Sequence, residues 1–198
     1  MHAVKKQNLD HLYPLCDFFN RSGEISPHST LIHSESIPEP YRSLLVHDDD
    51  MTPTLERFIG GRLQLKTLKM LREDESLLRQ VLLVPETGGL PLEFGAIRIE
   101  LTPFDQAARE KIIGCKTPFG TILHDHNVAH QSRPDAYFSI KPDPLIRAAL
   151  GLEESDGQTL YGRHNVITGA DGLRLAEVVE VLPPHLNPPP SKGGVRGG

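Results

Sequence analysis

Apolar residues along this chain gather in short runs whose spacing alternates between strand-like and helix-like. RLQLKTLKMLRED alternates through Leu63 and Leu65 and then shifts phase to Leu68 and Met70, which predicts a bulged strand. LLRQVLLVP and LPLEFGAIRIEL predict two strands of an antiparallel hairpin joined across ETGG. AYFSIK is a further strand, and TLYGRHNVIT and LRLAEVVEVLP flank GADG, whose Asp-Gly suits a tight hairpin turn. Between these lie helix signals. YRSLLVH is a short apolar helix that runs into DDDMTP, where an Asp or Thr52 caps a second helix with Pro53 at its first position and a stop at Gly60-Gly61. Thr102-Pro103-Phe104-Asp105 reads as a helix start closing at Gly114, KTPFG as another Thr-Pro start, and DPLIRAALG as a capped helix ending at Gly151. Hairpins dominate, so the expected fold is α+β: a single antiparallel β-sheet of about six strands with short helices packed against it.

The ends are patterned differently. Residues 1–40 hold one apolar cluster, Leu12, Tyr13, Leu15, Phe18 and Phe19, and read as a short helix and loop leading into a domain over 41–184. Residues 185–198 are Pro and Gly with little to bury and read as a disordered tail.

Composition narrows the classes. A length of 198 residues fits one domain with tails and a core that needs no staples. Lys and Arg number 21 against 26 Asp and Glu, a net charge of -5, which argues against a nucleic-acid or anionic-membrane partner. Cys16 and Cys115 are the two cysteines, as suits a reducing cytoplasm. No signal-like or membrane-length apolar run occurs, so a soluble cytoplasmic protein, a monomer or weak dimer, is expected.

Two charges interrupt apolar stripes. Residues i and i+2 of a strand share a face, so Arg79 stands with Leu77, Val81 and Leu83, and Glu177 with Leu173, Leu175, Val179 and Val181. Either the two form a structural ion pair, or one stripe faces solvent, or they line a cavity for a small polar-ended ligand. Glu180 lies on the other face of its strand with Val178 and Leu182 and is the weaker candidate. His124, His126 and His130 in LHDHNVAH have a spacing compatible with a metal site, but fit a helix end and loop equally well, and no metal is expected there. Asp48, Asp49 and Asp50 read as a helix cap, and Cys115 as a buried thiol.

DDDMTPTLERF, the Arg of LLRQVLL, KTPFG, GRHN and LRLAEVVEVLP occur in the order and approximate spacing of the chorismate lyase family, which the chain resembles from about Tyr41 to Pro184. The resemblance implies a chorismate lyase-like fold and elimination of pyruvate from chorismate to leave 4-hydroxybenzoate, a quinone precursor, with no cofactor. It places ligand contacts on Met51, Arg79, Phe119 and Glu177, with Arg79 and Glu177 catalytic: the guanidinium holds the ring carboxylate and Glu177 meets the 4-hydroxyl. Arg98 and Arg163 are available for a second carboxylate. Phe119 replaces a common Leu of that family, and His164 a second Arg. The alternative is a non-catalytic binding or sensor domain for an aromatic carboxylate, since the fold also occurs in effector-sensing domains of bacterial regulators. No helix-turn-helix fits residues 1–40, so a free-standing sensor is the form expected for it.

Overall fold

The computed structural model describes residues 10–153 and 158–186. In chain order its elements are α1 (Leu15–Ser22), β1 (Ser29–Ile32), α2 (Tyr41–Leu45), α3 (Met51–Ile59), β2 (Leu63–Glu73), β3 (Ser76–Pro85), β4 (Glu93–Glu100), α4 (Gln106–Gly114), α5 (Phe119–Asp125), β5 (His130–Ile140), α6 (Pro144–Leu150), β6 (Leu160–Gly169) and β7 (Arg174–Leu182), with two short 3-10 turns at Asp10–Leu12 and Ser34–Ser36. All seven strands join one antiparallel sheet in the order β1-β5-β6-β7-β4-β3-β2. This is the expected α+β architecture with one more strand. That strand is β1, which pairs with β5 from Ser29↔Ile140 to Ile32↔Tyr137.

Local chemistry explains most of the elements. β2 and β3 carry a register shift between Thr67 and Lys69, where the apolar phase changes in the sequence. Helices α1, α3 and α6 end on glycines in the left-handed region, Gly23, Gly60 and Gly151, which have no Cβ to oppose that conformation. Asp143 caps α6 by accepting from the Ile146 amide at 2.9 Å. The expected start of the fourth helix at Thr102-Pro103 is displaced. Residues 102–104 form a turn, and Asp105 is the cap of α4, accepting from the Ala108 amide at 2.8 Å.

Helices cover the sheet on both sides. On one face α1, α6 and the first 3-10 turn pack on Leu78, Leu82, Phe94, Ala96, Phe138, Val179 and Val181. On the other face α4 and α5 pack on Leu77, Ile97, Ile99, Ile167 and Val178, while α2 and α3 close its far end over Leu83, Leu92 and Leu182. Strands β3 and β7 are consequently buried on both faces and read as continuous apolar runs rather than alternating ones. Of the tail expected from residue 185, His185 and Leu186 pack against the body, His185 Nε2 lying 3.0 Å from the Pro91 carbonyl oxygen and Leu186 being buried. Residues 187–198 lie outside the described residues. No helix among the described residues is long and apolar enough to cross a membrane.

Candidate functional site

The site lies on the α4/α5 face, where the register brings four central strands into rows. Arg79 of β3 pairs with Ile97 of β4, Ile97 with Val178 of β7, and Val178 with Asn165 of β6. The next row runs Val81, Gly95, Glu180, Arg163. Gly95 opens a hollow in this floor: a Cβ there would stand 2.8 Å from Glu93 Oε1 and 3.3 Å from the Val179 carbonyl oxygen. Phe119 and Gly120 at the start of α5, and Asp50, Met51 and Thr52 at the start of α3, complete its lining. The result is a cavity of about 60 Å³. That is room for on the order of five water-sized groups.

Its polar groups are unevenly satisfied. Arg79 is 1% exposed, and while Nη2 reaches the Thr117 carbonyl oxygen at 3.5 Å, Nε and Nη1 have no partner. Burial pulls its guanidinium below the ordinary value, opposed by Cys115 beside it. Asn165 donates from Nδ2 to Ser132 Oγ at 2.8 Å and leaves Oδ1 unpartnered. Asp50 places Oδ2 3.0 Å from His130 Nε2 and leaves Oδ1 unpartnered. Gly120 permits that approach, since a Cβ on it would lie 3.2 Å from Asp50 Oδ2. Glu93 is 4% exposed with Oε2 unpartnered. Burial, and then the Glu180 carboxylate, pushes the Glu93 carboxyl well above the usual carboxylate range, with Arg163 pulling the other way.

Glu180, by contrast, is spoken for. Arg163, fully buried, ion-pairs with it through Nε. The other guanidinium nitrogens donate to carbonyls at the end of α2 and in the loop after it: Nη1 to Leu45 at 3.2 Å and His47 at 2.9 Å, Nη2 to Asp49 at 3.1 Å. One side chain thus fixes the segment that delivers Asp50 and Met51 to the cavity. His47 in this loop sits 2.8 Å from the Leu44 carbonyl oxygen through Nε2 and accepts from the Asp49 amide through Nδ1, so Nε2 carries the proton of a neutral ring. Burial first, and Arg163 second, lower the affinity of that ring for another proton.

Of the residues singled out from the sequence, Met51, Arg79 and Phe119 line this cavity. Glu177 does not. It points to the opposite face, in a groove with His11, Tyr13, Asp135 and His164, and pairs with Arg174 at 2.8 Å. Glu180 takes the inner position instead. Arg98 is also on the far face, bound to Glu73 at 3.1 Å and Glu100 at 2.9 Å. Of the histidine trio, His124 is exposed while His130 joins Asp50. Among the described residues no group of three His, Cys, Asp or Glu side chains stands close enough to hold a metal ion. Sequence reasoning missed Glu93, Asn165 and Asp50 as cavity groups. The available signals were a carboxylate beside a strand glycine in LEFGAI and an amide inside the apolar run of GRHNVI.

No family model matches the chain, and no curated protein matches it significantly. Solved structures do. The chain is similar to PhnF from Mycobacterium smegmatis, with a TM-score of 0.52 and 12% identity over 71% of this chain and 66% of that one. It is equally similar to the effector domain of PhnF, with a TM-score of 0.52 and 12% identity over 70% of this chain and 90% of that one. A TM-score of 0.51 and 12% identity relate it to YydK from Bacillus subtilis, described as a possible transcriptional regulator, over 71% of this chain and 63% of that one. The chain therefore spans about two thirds of the length of the longer regulator chains and nearly all of the effector domain alone. The fold is chorismate lyase-like. At this identity the likeness shows the fold alone.

These neighbours correct the functional expectation. The chain was expected to be a lyase acting on chorismate and serving quinone synthesis, but no such enzyme was found among sequence matches, and the similar structures are PhnF, its effector domain and a possible transcriptional regulator. The site agrees: Glu177, assigned the proton-handling role, faces the other side of the sheet, and Glu180 is neutralised by Arg163. The exclusion of a nucleic-acid partner from the net charge of -5 is overturned too. A regulator divides labour between units, and the charge of a sensing unit carries no information about the surface that meets DNA.

Proposed function

We propose that this chain is a non-catalytic ligand-binding module of the effector type, and that its ligand is a small anion held by Arg79. One observation carries the reading: among the described residues, four residues that line this cavity hold five buried side-chain polar atoms without a hydrogen-bond partner, Arg79 Nε and Nη1, Asp50 Oδ1, Glu93 Oε2 and Asn165 Oδ1. A buried cation with two idle donors costs stability, and groups of that kind gather at sites where a ligand meets them. A carboxylate, phosphate or phosphonate supplies two acceptor oxygens side by side, which suits a guanidinium fork. The volume of about 60 Å³ favours a ligand smaller than the aromatic acid considered from the sequence, because an engineered cavity that takes benzene measures about 150 Å³. The effector-domain neighbours support a binding role coupled to a regulatory partner unit on the same polypeptide or another.

The test is a titration of the purified chain with acetate and with inorganic phosphate, followed by amide NMR shifts and by thermal unfolding, which rises as a ligand occupies the folded state. Binding by wild type and its loss in Arg79→Met, with the fold retained, is the expected result. Equal responses of the two proteins would sink the proposal.

A further inference from the structure

The residues lining the cavity carry unpaired atoms of two kinds. Arg79 offers donors, and Asp50 Oδ1, Asn165 Oδ1 and Glu93 Oε2 offer oxygens. A plain anion satisfies the first set and leaves the second as it was. A hydroxyl donates one hydrogen and reaches one of the three oxygens. A primary ammonium carries three donors, one for each.

We propose that the ligand is a small zwitterion, an acidic group joined by a short aliphatic link to a primary ammonium, with the acid on Arg79 and the ammonium among Asp50, Glu93 and Asn165. This deepens the proposed binding role and rests on it. The cavity's charge balance suits such a molecule. The Asp50 carboxylate is shared with His130, Glu180 is matched by Arg163, and Arg79 faces its own anion. The link passes over Gly95, where the floor has no side chain, between the apolar walls Val81 and Val178. The hollow matches in size: on the order of five water-sized groups is the size of the smallest amino acids. Glu93 adds a second signature. Burial raises its affinity for a proton, and an arriving ammonium works the other way, so ligand binding favours release of a proton to the buffer.

The probes are glycine and β-alanine, their deaminated partners acetate and propionate, the hydroxyl partner glycolate, and aminomethylphosphonate, which exchanges the carboxylate for a phosphonate. Calorimetry in two buffers of different ionisation enthalpy reads affinity and proton release together. At least one ammonium-bearing probe should bind ten-fold or more tighter than its deaminated and hydroxyl partners and release protons on binding. That preference should fall below three-fold in Asn165→Leu and the proton release should vanish in Glu93→Gln, while Arg79→Met binds none of the probes. Comparing glycine with aminomethylphosphonate identifies the acid. If acetate or propionate binds as well as its amino partner, in an Arg79-dependent way, the zwitterion is wrong and the anion-binding role stands. If none of the probes binds wild type, or binding ignores Arg79, both fail. If Asn165→Leu does not fold, Asn165→Asp replaces it. Its added negative charge should strengthen the ammonium preference, and an unchanged preference overturns the assignment.

Discussion

The two faces of the sheet carry the same kinds of charged residue and use them in opposite ways. On the α1/α6 face Arg98 is shared between Glu73 and Glu100, Glu177 is joined to Arg174, and His164 to Asp135. Most of these carboxylates keep contact with water, Glu73 at 30% and Glu100 at 34% exposed. On the α4/α5 face Arg163 and Glu180 are sealed inside, and Arg79 is sealed in beside them with no carboxylate of its own. What distinguishes them is ion pairing: on the α1/α6 face Arg98, Arg174, Glu73, Glu100 and Glu177 each meet an opposite charge, while on the other face Arg79 lines a hollow with unpartnered donors, the feature on which the proposed binding role rests.

The largest way to break the contrast is Arg163→Met. It strands Glu180 in the interior and frees three loop carbonyls, so unfolding by urea should show a loss of about 3 to 5 kcal/mol. A loss below about 1 kcal/mol would mean that the pair is not the sealed unit described. Next comes Glu93→Gln, read against pH. The Glu93 carboxyl binds its proton more tightly folded than unfolded, so its contribution is fully present below the unfolded value of about 4.3 and is lost as pH rises toward the folded one. Wild type should therefore lose stability relative to Glu93→Gln as pH climbs above about 4.3, by up to about 1.4 kcal/mol per unit over the steep part. Parallel stability curves would show that the carboxyl is ionised in the folded protein.

Arg79→Met sharpens the comparison from the other side. Removing a buried cation that lacks a counter-ion should leave unligated stability unchanged or raise it by about 1 kcal/mol, although the residue is as buried as Arg163. A loss comparable to that of Arg163→Met would place Arg79 among the structural charges. The smallest effect belongs to the far face. Arg174 is 54% exposed, and Arg174→Ala should cost less than about 0.5 kcal/mol in the same urea titration and less still at high salt.

The elements themselves were legible because each announces itself locally. Asp-Gly in GADG, the phase shift at Leu68 and the glycines after α3 and α6 act over a few residues. β1 was not legible: STLI is four residues long and half exposed, and only its pairing with β5 makes it a strand. At the site, Arg79 stood out as a cation in an apolar run, but the choice between Glu177 and Glu180 was beyond the pattern. Val179 and Val181 on one side of β7, and Val178 and Leu182 on the other, are all buried, so alternation names two interiors and does not say which one is hollow. Register settles it, by setting Glu180 opposite Gly95.

Arg163 grips its loop through a rigid plane. The carbonyls of Leu45, His47 and Asp49 all take hydrogen from one guanidinium, whose geometry does not flex from one bond to the next. Such a loop cannot peel away residue by residue, because moving one carbonyl tilts the donor away from the others. It is seated or it is released, as a latch is. Asp50 and Met51, carried at its end, therefore keep or lose their place at the cavity together, and Arg163→Met should disturb both at once.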